Sequence, residues 1–281
     1  PKLNVFPIEE VANIGKEKGI PLIVDNTAAP ITCKPIEHGA SIVVYSLTKW
    51  IGGHGSSIGG MIIDSGKFNW TEFPERQPLY NTPDPSYWGW VLGKVVPEAL
   101  GANLTYIVRA RFVLLRDLGS SLSPTNSFNI IQGLETLPLR FKKHQENAAL
   151  VAKFLKEHQS VNKVIYPGFQ DGINKKRAEK YLSDGFGPLV GFELKDGLEA
   201  GKKFIDSLKL LYHVANIGDA RSLAIHPAST THSQLSPEDQ IRSGVTPGYI
   251  RLSVGIENIE DILNDIDQAL KVSSKSVKSA A

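Results

Sequence analysis

The sequence predicts an α/β protein: part of a large domain built on a mostly parallel sheet, followed by a smaller α+β domain. Three observations carry this expectation. Short, uniformly apolar runs such as Leu22-Ile23-Val24 and Ile42-Val43-Val44 recur with helical segments between them, as strands covered on both faces require. The second half alternates brief apolar runs with helix-periodic stretches. A chain of 281 residues with 41% apolar content is long enough to bury two cores.

The elements follow in order. Ile8, Val11 and Ile14 give Pro7 to Lys18 helical periodicity, and Lys18-Gly19 ends it before the apolar strand Ile20 to Val24. A loop and a short helical stretch near Pro35 to Gly39 lead to a strand over Ser41 to Tyr45. A glycine-rich segment then precedes a third strand, Gly60 to Ile63. Phe73 to Pro97, rich in Pro, Trp and Tyr, reads as a long functional loop that could cover a site. Helices are expected over Leu104 to Leu118 and Phe128 to His158, the second broken or kinked at Pro138. The domain boundary is placed there, giving residues 1–136 and 137–281. The second domain reads as strands Val161 to Tyr166, Val190 to Leu194 and Ile250 to Val254, with helices Leu198 to Leu208 and Ile259 to Leu270. The small, polar tail Ser273 to Ala281 is expected to fray.

A net charge of +2 with interspersed signs argues against nucleic acid or a membrane surface as partner and leaves room for a small anionic ligand. No apolar stretch reaches membrane-spanning length. The single cysteine, Cys33, excludes an internal disulfide framework and reads as a small buried hydrophobe, which fits a reducing, cytoplasmic setting. Met61 is the only methionine and the chain opens on Pro1, so upstream targeting signals lie outside its reach.

The chemistry is concentrated in one pair. Asp25 ends the strand Leu22-Ile23-Val24, and Lys49 follows the strand Ile42-Val43-Val44 within Tyr45-Ser46-Leu47-Thr48-Lys49. Parallel strands present their carboxyl ends at one edge, where such sheets bind ligands, so this acid and this amine can meet there. Pyridoxal phosphate needs such a pair: a lysine for imine formation, and a carboxylate that keeps the pyridine nitrogen protonated so the ring can absorb electrons. Ser46 and Thr48 offer hydroxyls for the phosphate, and Gly52, Gly53, Gly55, Gly59 and Gly60 allow close backbone approach. Singly, each residue has a plainer reading: a strand-end aspartate as a turn former, a Ser-x-Thr-Lys stretch as a surface turn. Spacing and order together favour the cofactor. A nucleotide phosphate loop is rejected because Met61-Ile62, not Lys-Ser/Thr, follows the last glycine. No histidine pair has helical zinc spacing, so no metal is expected. For His54 a structural hydrogen bond is as good a reading as a cofactor contact. For Trp88 and Trp90, which could wall an entrance, packing is the default.

Val24-Asp25-Asn26-Thr27, Gly39-Ala40-Ser41-Ile42-Val43 and Ser46-Leu47-Thr48-Lys49-Trp50-Ile51-Gly52-Gly53-His54 resemble the cofactor segment of the cysteine and methionine metabolism pyridoxal-phosphate enzymes. The resemblance continues through Leu114 to Gly119, Gly133-Leu134-Glu135-Thr136-Leu137-Pro138-Leu139-Arg140, Tyr166-Pro167-Gly168 and Arg251 to Glu257, nearly the whole chain. It implies the fold-type-I transferase architecture, with the family's first third or more preceding Pro1. In the family that missing part supplies a phosphate-cradling turn and a ring stacked on the cofactor. Pro83 to Tyr87, Asn216 to Leu223 and His226 to His232 are similar to the O-acetylhomoserine sulfhydrylase branch, while Ala28-Ala29-Pro30 departs from the family's usual sequence after Asp-Asn-Thr.

The resemblance implies that Lys49 carries the cofactor and shuttles protons, Asp25 pairs with the pyridine nitrogen, and Ser46 and Thr48 bind phosphate. Arg251 takes the substrate carboxylate with help from Ser222, and Asn26 and Thr27 line the pocket. The implied reaction is γ-replacement on O-acetyl-L-homoserine by sulfide or a thiol, giving homocysteine or methionine, in a homotetramer built as a dimer of dimers. Other family activities, namely cystathionine synthesis, γ-elimination or methionine γ-lyase chemistry, are close alternatives. A non-catalytic remnant or partner subunit is the alternative from a different class.

Overall fold

A computed structural model describes residues 2–275. Three strands, β1 (Ile23–Asp25), β2 (Ile42–Ser46) and β3 (Gly60–Asp64), form the first sheet in that order. Helix α1 (Ile8–Glu17) precedes it. β1 and β2 are parallel, with Val24 opposite Val43 and Asp25 opposite Val44. β2 and β3 are antiparallel, with Ser46 opposite Gly60. β1 and β2 are the parallel pair that the sequence predicts, and β3 joins them antiparallel. The segment between Ser46 and Gly60 holds no crossover helix, so the chain returns beside the end it left and the pair must run antiparallel.

The segment read as a long loop is partly helical. It holds α2 (Pro78–Asn81), a 3₁₀ turn at Pro85–Tyr87 and the start of α3 (Leu92–Leu100). Its prolines start helices instead of preventing them: Pro78 and Pro85 occupy first-turn positions, where a missing N–H costs nothing, and the Asp84 carboxylate accepts the Ser86 amide at 2.8 Å. Trp88 and Trp90 are exposed rather than packed, Trp88 at 82%. Next, α4 (Thr105–Arg109) continues through a π segment (Ala110–Leu115) into α5 (Arg116–Leu118), the single long helix the periodicity called for.

Helix α6 (Pro124–Glu157) is 34 residues long, about 50 Å at the α-helical rise. Ser123 caps it, accepting the Asn126 amide at 3.2 Å, and Pro124 sits in its first turn. Pro138 lies inside it without ending it, so of the two expectations, a break or a kink, the break is absent, and the helix runs across the predicted 136/137 boundary. Two cores attach along its length. Ile130, Leu137 and Phe141 pack with Leu47, Trp50 and Ile51 beneath the lysine segment. Ala148, Val151, Ala152 and Leu155 pack into the second core.

That second core lies on a five-stranded sheet in the order β4 (Val161–Ile165), β5 (Leu189–Leu194), β8 (Tyr249–Ser253), β7 (Leu223–Ile225), β6 (Tyr212–His213). The two shortest strands, β6 and β7, escaped the periodicity reading. Helices α8 (Gly197–Ser207) and α10 (Ile259–Lys275) pack on it, while α7 (Gly172–Tyr181) and α9 (Pro237–Ser243) lie outside that core. Val190, Phe192, Ile250 and Leu252 meet Phe204, Ile262, Ile266 and Leu270, all fully buried, each contributing about 1.5–3 kcal/mol by leaving water. Ser273 to Lys275 complete α10 rather than fraying, the Ser273 hydroxyl donating to the Leu270 carbonyl at 2.9 Å. The rest of the expected tail, 276–281, lies outside the described residues. No helix among the described residues is long and apolar enough to cross a membrane.

Candidate active site

The site is built where β1 and β2 end. Because the strands are parallel and in register, their carboxyl ends project at one edge, Asp25 from one and Ser46 to Lys49 from the other. Thr27 ties the two ends together, its hydroxyl oxygen accepting the Ser46 amide at 2.8 Å. Asp25 is exposed and accepts the Thr27 amide through Oδ1 at 3.0 Å, and it enters no ion pair among the described residues. The Thr48 hydroxyl accepts the Gly59 amide at 3.1 Å, which anchors the lysine turn to the segment before β3. The Ser46 hydroxyl is uncommitted among the described residues.

Lys49 is half-buried, and its amine donates to the Asn216 side-chain carbonyl. Arg251 approaches the same residue from the second sheet. It sits on the central strand β8, between Gly191 of β5 and Ile225 of β7, and its Nη2 donates to the Asn216 main-chain carbonyl at 3.1 Å. Its Nε is buried without a partner, and burial lowers the pKa of its guanidinium. A half-buried guanidinium that meets one neutral carbonyl and no carboxylate is prepared for an anion.

Asn216 was missed as a site residue. It stood in the sequence only within the segment Asn216 to Leu223, with no role for its amide. The available signal was Gly218 two positions on. Its φ is +79°, and a Cβ there would fall 2.5 Å from the Trp50 nitrogen and 2.9 Å from the Lys49 Cβ, so only glycine lets this loop press against the lysine turn.

Two predicted residues have side chains engaged by the scaffold. Asn26 is buried, and its amide is directed to the Ala29 and Cys33 carbonyls and the Tyr45 hydroxyl at 2.9–3.1 Å, shaping the turn after β1. Ser222 is fully buried, with its hydroxyl donating to Glu257 at 2.9 Å and accepting the Gly255 amide at 2.8 Å. Both hydrogen-bonding roles of that hydroxyl are already taken by the scaffold. His54 Nδ1 donates locally to the Gly52 carbonyl at 2.6 Å. Cys33 is a buried free thiol whose pKa burial pushes up to about 11, so it stays protonated and unreactive.

Trp50, next to the lysine, is 1% exposed and meets Phe141 and His144 edge-on at ring separations of 5.6 and 5.0 Å. His144 Nδ1 faces the Val254 carbonyl at 2.7 Å, so that nitrogen carries the proton. Burial pushes the imidazole pKa down to about 4, opposed by the carbonyl and reinforced by the Arg140 charge. The pH dependence follows. Between pH 6.5 and about 4 the unfolded chain binds a proton here that the folded chain refuses, so stability falls as pH falls through that window. His144→Gln is expected to reduce the stability lost between pH 7 and pH 5 by about 2 kcal/mol, read from urea midpoints at the two pH values. An unchanged loss would mean that the ring is not held neutral.

With this geometry in place, residues 1–271 match the family model described as "Cys/Met metabolism PLP-dependent enzyme". The chain belongs to that family. The O-acetyl-L-homoserine sulfhydrylase of Leptospira meyeri is 53% identical over 277 residues, covering 96% of this chain and 62% of that protein. The homocysteine synthase of Schizosaccharomyces pombe is 46% identical over 274 residues, covering 97% and 63%. A solved structure of a putative O-acetylhomoserine (thiol)-lyase from Campylobacter jejuni, which contains a pyridoxyl-lysine monophosphate, superposes with a TM-score of 0.87 at 39% identity, covering 96% of this chain and 63% of that one. The chain therefore spans about three-fifths of the length of the relatives it matches.

The family's cofactor is pyridoxal phosphate, and the residues here fit it. Among the described residues, a lysine amine, a carboxylate in no ion pair on the neighbouring strand end and an uncommitted serine hydroxyl stand at one sheet edge, with a guanidinium lacking an anionic partner beyond them.

Proposed function

We propose that the protein works in γ-replacement on an activated homoserine ester, O-acetyl-L-homoserine, with sulfide or a small thiol as nucleophile and homocysteine or methionine as product. The observation that carries this reading is the shared partner Asn216, which holds the Lys49 amine on its side chain and the Arg251 guanidinium on its main chain. An α-amino acid needs both groups: one to work at its Cα and one to hold its carboxylate. The names of the relatives support the choice of ester and of sulfur nucleophile.

Bound pyridoxal phosphate supplies an electron sink for negative charge developing at the substrate's α-carbon. Asp25, which enters no ion pair among the described residues, would accept the ring N–H and keep that nitrogen protonated. Ser46, with Thr48 beside it, binds the phosphate, and Thr27 holds their strand end in place. Arg251 takes the α-carboxylate in a bidentate pair, satisfying its unpartnered Nε. Lys49 would hold the cofactor through its amine, and that amine would move protons at the substrate's Cα and Cβ. The γ carbon–oxygen bond breaks, acetate leaves with the electron pair, and a carbon–sulfur bond forms in its place. The tetrameric assembly and the cytoplasmic setting belong to the same reading, the latter in keeping with a single, buried cysteine.

The test is an absorbance spectrum with added pyridoxal phosphate, followed by product analysis with O-acetylhomoserine and sulfide, with cysteine, and with no nucleophile. A visible band and homocysteine formed only with sulfide are expected. Cystathionine from cysteine, or an oxoacid without any nucleophile, would move the activity to the synthase or lyase alternative. No band from folded protein would sink the catalytic reading in favour of a non-catalytic subunit.

A further inference from the structure

The turn that carries Lys49 is gripped by an arginine that the reaction above does not use. Arg140, on α6, is 7% exposed. Its Nη1 donates to the Trp50 carbonyl at 2.9 Å, its Nη2 to the Ile51 and Gly133 carbonyls at 3.1 and 2.6 Å, and its Nε to the Thr136 hydroxyl at 3.1 Å. All of these acceptors are neutral, and none of the ion pairs among the described residues includes Arg140.

Two glycines make the grip possible. Gly53 has a φ of +68°, and a Cβ there would fall 2.1 Å from Arg140 Nη1. At Gly133, a Cβ would fall 2.3 Å from the Gly52 oxygen and 2.7 Å from the Ile51 oxygen, so α6 lies backbone-close against the turn. The turn's other carbonyls are also committed. Gly53 N donates to Lys49 O at 2.7 Å, and Ala220 N donates to Gly53 O at 2.8 Å.

A buried cation without a counter-ion is tolerated only while its hydrogen bonds persist, because losing one leaves charge unsatisfied in a low-dielectric interior. A shift of the Trp50 or Ile51 carbonyl is penalised far more than it would be over a neutral side chain, so the charge stiffens the backbone next to Lys49. We infer that Arg140 is a positioning residue: its guanidinium fixes the turn from Lys49 to Gly53 so that the Lys49 amine stays aligned with Asn216. The inference rests on Lys49 being the cofactor lysine.

Arg140→Lys tests it. An ammonium keeps the charge but is a compact donor that cannot span the Trp50, Ile51 and Gly133 carbonyls as a planar fork does. Amide hydrogen exchange in residues 50–53, measured without cofactor, is expected to accelerate by about 10-fold or more, the loss of one charge-assisted bond, while β8 stays at the parent rate. With cofactor bound, the visible circular dichroism per bound molecule should fall, and kcat should drop by about 100-fold, the cost of a small misplacement, with KM changed by less than about threefold. Arg140→Met, measured alongside where it folds, should show the same selective pattern more strongly. Exchange and dichroism equal to the parent, with only a lower Tm, would overturn the inference and leave Arg140 a core residue. No visible band in the parent would instead overturn the Lys49 reading, and the exchange rates would still show whether Arg140 holds the turn.

Discussion

Lys49→Ala is expected to abolish the visible absorbance band and to lower turnover by about 10²- to 10⁴-fold, the range that a positioned proton-transfer group supplies. That corresponds to about 3–5 kcal/mol of transition-state stabilisation. The fold should survive, because the side chain is half-buried and its amine makes one recorded hydrogen bond, to Asn216. Lys49→Arg is the sharper control. It keeps the charge near Asn216 but cannot attach to an aldehyde, so it should match the alanine variant in spectrum and turnover. Tm, far-ultraviolet circular dichroism and the visible spectrum should be collected on the same samples. A folded alanine variant that keeps the band would place the cofactor on another lysine.

The largest stability effect is expected at Phe141. Its ring is 1% exposed, meets Trp50 edge-on and shares a core with Leu47, Ile51, Ile130 and Leu137. Phe141→Ala should cost about 3–5 kcal/mol, the transfer of the ring plus the cavity left behind. Against a total of about 5–15 kcal/mol this is a large share, and for a chain of this size it lowers Tm by about 5–8 °C. Trp50 should report the change through a red-shifted, broadened emission. Phe141→Leu, which keeps most of the volume, should recover more than half of the loss. Equal losses for alanine and leucine would show that ring geometry with Trp50, rather than volume, dominates.

The parts of the fold written in local signals were legible. Helix α1, the three strands of the first sheet and the strands β4, β5 and β8 all lie within a few residues of their apolar runs, because each coincides with an apolar run or helical spacing long enough to read in the sequence. β6 and β7, two and three residues long, are too short to show one and are held by neighbours distant in sequence. The prolines of Phe73 to Pro97 misled because composition does not reveal that a proline will stand at a first helical turn. The direction of β3 depends on where the chain returns, which its own residues do not encode.

At the site, strand order and spacing were enough to bring Asp25 and Lys49 to one edge. Asn216, by contrast, reaches Lys49 from 167 positions away. Arg140 stood in the sequence only as part of a motif, and its contacts with the lysine turn span about 90 positions. For Ser222 the sequence did not show that its hydroxyl is engaged by Glu257 and Gly255.

Helix α6 is a beam under both cores. It carries Phe141 and Arg140 against the lysine turn and Val151 and Leu155 against the sheet that bears Arg251. Changing the separation between Lys49 and Arg251 would mean flexing that beam, not swinging a loop. On the function proposed above, the two groups act as the jaws of a fixed calliper, set for a molecule whose amino and carboxylate groups share one carbon. A β-amino acid, one methylene longer between those groups, should be gauged as oversize even where every other part of it fits.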